Sequence, residues 1–140
     1  MPKPQNYGSL ATEDGTVIID ETADALRVRM VGATETISAP KRATITAGSS
    51  GNTQVVAAVT GKQIRPTRIR LNANGAVNSK FQSASNEIDG LGLFYHDAAG
   101  SGYTEYEPSG LGETVAGEAL NINLSGAIAI SGGLTYVEVG

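Results

Sequence analysis

The chain has no cysteine and no tryptophan, one histidine, two methionines and two phenylalanines. Without cysteine there is neither a disulfide framework nor a thiolate metal site, so stability must come from packing, backbone ladders or association. No apolar run approaches the ~18 residues of a membrane span. The opening MPKPQNYGSL lacks the apolar stretch of a secretory signal, and the expectation is a chain soluble where it is made. Charged residues are scarce at 17% and aromatics at 5%, whereas glycine occupies 18 positions among recurring Ala, Thr, Ser and Asn. That balance suits short strands joined by tight turns, where glycine supplies the positive φ angles. At 140 residues the chain fits one core.

The net charge of −4 hides a segregation. Lys41, Arg42, Lys62, Arg65, Arg68, Arg70 and Lys80 fall in a 36–80 block without a carboxylate, and every charge beyond residue 80 is acidic. Two readings follow. Identical copies could meet head to tail with opposite charges facing, or basic and acidic strands could pair within one subunit and cancel locally.

Residues 1–40 read as an extended N-terminal arm, punctuated by Pro2, Pro4 and Pro40. It carries two apolar runs, Val17, Ile18 and Ile19, and then Leu26, Val28 and Met30 alternating with Arg27 and Arg29. Such runs need a partner surface, since burying each apolar side chain contributes ~1.5–3 kcal/mol, and strand addition to a sheet edge would use the alternation directly. Residues 41–140 read as a β-sandwich, with strands predicted over 41–47, 53–59, 63–72, 75–82, 87–95, 103–107, 118–125, 126–131 and 133–139. Val55 to Val59, apolar on both parities, is expected to be a central strand. A change of apolar phase between Ile64 and Ile69, with Pro66 between them, predicts a bulge or an edge position there. Leu120, Ile122 and Leu124 alternate with polar residues, as do Val77, Ser79 and Phe81, the pattern of half-buried strands. No stretch carries a sustained 3.6-residue period, so the fold class is all-β.

Catalytic chemistry finds little support. His96, followed by Asp97, is the one base that a serine nucleophile could use, yet no Gly-x-Ser-x-Gly elbow accompanies it. One histidine with scattered carboxylates does not make a transition-metal site. Asp97 to Gly102 lacks the alternating acids of a calcium loop and reads as a hairpin loop. Glu105 and Glu107 read as a solvated edge rather than a glycosidase pair. Gly110-Leu111-Gly112 and Thr60-Gly61-Lys62 are incomplete phosphate-loop fragments. The Arg65 to Arg70 strand could touch nucleic acid, but the acidic balance and lack of interleaved aromatics favour intersubunit ion pairs, with Arg68 and Arg70 as interaction residues. No enzyme activity and no cofactor are expected.

The stretches NTQVVAAVTGKQIR (52–65), GAVNSKF (75–81), TVAGEALNINLS (114–125) and GLTYVEV (133–139) resemble the small β-sandwich modules of tailed-bacteriophage virion proteins, most of all head decoration, or cement, proteins. The resemblance covers 41–140 and rests on strands and turns. It implies a jelly-roll-like antiparallel sandwich and assembly as a homotrimer. It also implies an arm laid over the major capsid protein, a location on the outer capsid surface after synthesis in the host cytoplasm, and no membrane partner. Two other classes stay open. One is a tail or fibre receptor- or carbohydrate-binding module using loops 96–103 and 108–117 with Tyr95, Tyr103 and Tyr106; the other is a small hydrolase built around His96.

Overall fold

The computed structural model describes residues 35–140, and Thr36–Gly140 forms one compact unit. The two apolar runs of the arm, Val17 to Ile19 and Leu26 to Met30, lie outside the described residues. Nine strands follow: β1 (Lys41–Ala47), β2 (Gly51–Val56), β3 (Gln63–Asn74), β4 (Val77–Ser83), β5 (Asn86–Glu87), β6 (Phe94–His96), β7 (Ala99–Tyr106), β8 (Leu120–Leu124) and β9 (Ile130–Val139). All pairings are antiparallel. The described residues contain no helix.

One sheet runs β1-β9-β3-β7; the other runs β2-β8-β4, with β5 and β6 end to end along the free edge of β4. Counting β5 and β6 as one interrupted strand, the chain crosses between sheets at every connection except β4 to β5, the winding of a jelly roll. The inner faces supply the core: Ile45, Ile64, Ile69, Leu71, Phe81, Leu120, Ile122, Leu124 and Ile130 are all buried. Phe94 joins the sheets, with its ring 6.0 Å from Phe81 and 4.4 Å from Tyr103, centroid to centroid. Both contacts are edge-to-face, the arrangement that the aromatic quadrupole favours.

The phase change in β3 is a bulge, as the sequence predicts. Pro66 pairs with Tyr136 and Arg68 with Thr135, so Thr67 is the extra residue. It lets Ile64 and Pro66 on one side, and Ile69, Leu71 and Ala73 on the other, all turn inward. Beyond the reach of β7, segment 107–114 continues along β3: Glu107, Leu111 and Thr114 donate backbone N–H groups to the carbonyls of Thr67, Pro66 and Ile64. The Thr114 hydroxyl accepts from the Ile64 N–H at 2.9 Å.

Several strand expectations are corrected. β2 is an edge strand that ends at Val56, with Ala57 and Ala58 exposed. A register shift between Gln54 and Val56 brings adjacent valines toward the core and so mimics the two-sided apolar pattern of a central strand. Of 87–95, only Glu87, Phe94 and Tyr95 are in strands; a turn at Ile88–Leu91, with Gly90 at φ +87°, interrupts the rest. The expected hairpin loop at 97–102 shrinks to a turn, because β7 begins at Ala99. Of 126–131 only Ile130 and Ser131 are in a strand, and they run without a break into 133–139. Gly132, read as the break, lies in mid-strand, where a Cβ on it would sit 1.8 Å from the Arg70 carbonyl oxygen.

Candidate binding face

The fold brings the basic and acidic blocks together. Lys41 bonds Glu138 at 2.6 Å, Arg65 bonds Glu113 at 2.8 Å and Lys80 bonds Glu87 at 2.9 Å, each pair joining a residue of the 36–80 block to one beyond it. The bond to Glu138 raises the Lys41 pKa, and the bond from Lys80 lowers that of Glu87. Lys62 donates to the Gly140 carbonyl. Local cancellation thus disposes of three of the seven basic residues, and a fourth, Lys62, is held by a neutral carbonyl.

The other three are Arg42, Arg68 and Arg70. None has a carboxylate within ion-pair distance among the described residues, and all three are exposed on the outer face of the β1-β9-β3-β7 sheet. The register places them together. Arg42 and Arg68 both pair with Thr135, one from each side, which puts their backbones two strand spacings apart, about 10 Å. Arg70 lies two residues from Arg68 on the same side of β3, about 7 Å along the strand. Thr44 and Arg70 flank Gly133 in the same manner.

Because Gly133 carries no side chain, the face is hollowed between the arginines. The depression, about 480 Å³, is lined by Arg42, Thr44, Arg68, Arg70, Gly133 and Thr135 among others. A second hollow of similar size continues past Arg70 toward Asn72, Gly102, Thr104 and Ser131. Together they make a polar, cationic trough without a counter-charge among the described residues. Three positive groups on one side of a sheet add their fields and attract an anionic surface. Tyr106, paired with Arg68 and 66% exposed, stands at its edge.

The opposite charge gathers elsewhere. β5 and segment 109–115 border a cleft of about 590 Å³ whose lining includes Glu87, Asp89, Glu113 and Arg65. Gly110 and Gly112 shape it: both have positive φ, and a Cβ on either would fall within 3 Å of Arg65 or of the Asp89 carbonyl. Ile88 is buried between the exposed Glu87 and Asp89, so both carboxylates project outward. Glu107 lies beyond β7 and accepts from the Ser109 hydroxyl and N–H, which together lower its pKa.

His96 is at the end of β6 and buried, with Nε2 3.2 Å from the equally buried Ser79 hydroxyl, while Asp97 is exposed. Tyr103 is half-buried against Phe94, and its hydroxyl bonds Glu105. That bond, then burial, pushes the phenol up to about 12. Tyr103 therefore belongs to the packing, and Tyr95 and Tyr106 remain as exposed rings. Among the described residues no group of three or more His, Asp or Glu side chains is placed to hold a metal ion.

Of the expected interaction residues, Arg68 and Arg70 stand side by side on the trough. Sequence reasoning missed Arg42 as their companion. Its outward parity was visible, since Ala43, Ile45 and Ala47 face inward, but the placement of β1 and β3 on either side of β9 was not. No protein-family model, curated protein or solved structure matches this chain.

Proposed function

We propose that this chain is a structural virion protein of the phage decoration type, attaching over copies of a major capsid protein on the outer surface of the head. It works by binding rather than by chemistry. The observation that carries this reading is the arginine trough: three cations on one sheet face, without a carboxylate partner among the described residues, in a fold that pairs Lys41, Arg65 and Lys80 with carboxylates. A partner surface rich in carboxylates completes it. The resemblance of residues 41–140 to cement proteins supplies the assembly context.

Pelleting of the purified protein with DNA-free phage heads tests the proposal. Binding should be strong at low ionic strength and fall as salt rises, because the Debye length shrinks from about 10 Å at 0.1 M to about 3 Å at 1 M. The R68E/R70E variant should stay in the supernatant. Failure of the unmodified protein to pellet with heads at any salt concentration would refute the proposal.

One observation favours a second reading, a tail or fibre module that binds carbohydrate: Tyr95 and Tyr106 are 71% and 66% exposed, and rings presented in this way stack on sugars. Binding to host glycans, lost in Y95A and Y106A, together with no affinity for heads, would select it.

A further inference from the structure

We infer that the arginine trough is an interface between copies of this chain, and that it takes the acidic edge around Glu87 and Asp89 of a second copy. The inference rests on the reading of the trough as an assembly surface and makes a second copy its direct partner, the assembly so formed being what meets the capsid. Three features converge on it. Arg68 and Arg70 project from one face of β3 two residues apart, and Glu87 and Asp89 project on either side of buried Ile88 at the same sequence interval. Along β3 that interval is about 7 Å, and the turn at Ile88–Leu91 keeps Glu87 and Asp89 within two residues of each other, so two neighbouring cations can meet two neighbouring anions. Second, Asp89 has no cationic partner among the described residues, and the Glu87 side chain, although bonded to Lys80, is 75% exposed. Third, the trough is a hollow floored by Gly133, and it can admit a projecting turn such as the one at Asp89 and Gly90.

The geometry also fixes the kind of contact. Two troughs facing each other would oppose six guanidinium groups, so a two-fold contact through this face is disfavoured. Trough to acidic edge can be made head to tail, each copy donating one surface and receiving the other. Such contacts close into a ring when the rotation per copy permits, and a trimer is one closed solution. Exposed ion pairs contribute little singly, so the contact depends on several acting together and weakens with salt.

The experiment is a charge swap on the full chain, read by light-scattering mass over a dilution series. The unmodified protein should exceed its monomer mass of 14.3 kDa at low salt and fall toward it at high salt. R68E/R70E and E87R/D89R should each run as monomers, with circular dichroism unchanged because all four side chains are exposed. Mixing the two variants should restore association, since the unchanged trough of one fits the unchanged edge of the other and the two reversed surfaces are complementary as well. An unmodified protein that is monomeric at every concentration overturns the inference, as does a mixture that stays monomeric. Pelleting with heads separates this outcome from the proposed function. If R68E/R70E keeps the mass of the unmodified protein yet loses heads, self-association through the trough is wrong and attachment to the capsid stands. If the mass responds to the charge swap while neither protein binds heads, the self-interface stands and the decoration reading fails.

Discussion

Inside the sandwich, His96 Nε2 lies 3.2 Å from the Ser79 hydroxyl, and neither side chain reaches solvent. Ser79 pairs with Phe94 in the ladder between β4 and β6, two residues before His96. The pair links β4 to the strand that carries Phe94. Removing the ring in His96→Ala leaves a buried hydroxyl unpartnered and a cavity beside it. The expected loss is about 2–4 kcal/mol, measured as a fall in the urea midpoint at constant slope. The Ser79→Ala and His96→Ala losses should not add in the double variant, because both delete the same bond. Full additivity would mean that the contact contributes nothing.

Gly132 and Gly48 make opposite predictions for the same change. A Cβ at Gly132 meets the Arg70 carbonyl at 1.8 Å, and backbone from two strands would have to separate to admit it. Gly132→Ala should destabilise by more than about 4 kcal/mol or prevent folding, an exceptional cost for a single methyl group. Gly48 has open space around its Cβ position and no positive φ, so Gly48→Ala should be neutral or slightly stabilising. Thermal melting of the two variants side by side checks both.

Tyr103 should ionise late. Its hydroxyl is held by Glu105 and partly desolvated, which raises its pKa to about 12 from the ordinary ~10 of a free phenol. A raised folded-state value means that the folded protein holds this proton more tightly than the unfolded chain does. The stability it contributes is therefore complete below about pH 10 and is lost as pH rises through about 12. Ultraviolet titration should reveal one phenol ionising near 12, and Glu105→Ala should bring it down. If the phenol stays near 12 in that variant, the shift has another source.

The start of the folded unit can be located by truncation. Thr36 and Ser38 are tied to the last strand: Gly140 N–H donates to the Thr36 carbonyl, Ser38 N–H donates to the Glu138 carbonyl, and the Ser38 hydroxyl accepts from the Glu138 N–H, each at 2.9 Å. Ile37 forms a bridge with Val139. A chain beginning at Thr36 should melt where the full chain does. One beginning at Lys41 loses these three bonds, about 0.5–1.5 kcal/mol each, and should melt several degrees lower. Equal melting of both would mean that residues 36–40 contribute nothing to the sandwich.

What could be read in the sequence follows from which signals are local. The β1 boundaries, the alternation of Leu120, Ile122 and Leu124, and the Pro66 phase change each depend on a side chain's own parity, and the structure agrees with all three. Glycine misled in both directions. Gly132 reads as a break because glycine usually marks turns, yet here it is required by the approach of the neighbouring strand's backbone, which no local pattern discloses. Val55 and Val56 read as a two-sided strand because a bulge and a central strand give the same apolar run. The trough was half visible: Arg68 and Arg70 stand together in the chain, whereas Arg42 joins them only through register with β9.

The pairing of β1 with β9 has a consequence for how the molecule comes into being. Lys41 to Ala47 find their ladder partners in Ile130 to Tyr136, so the first strand of the sandwich has no neighbour in its own sheet until the last has been synthesised. At a ribosome adding ~5–20 residues per second, the emerging chain spends seconds with one sheet incomplete and its arginines facing none of the later carboxylates. Closing contacts so distant in sequence makes for slow folding. Synthesis must therefore run ahead of assembly, and any chaperone or polyanion that shields the 36–80 segment in that interval would act on folding yield without touching the finished protein.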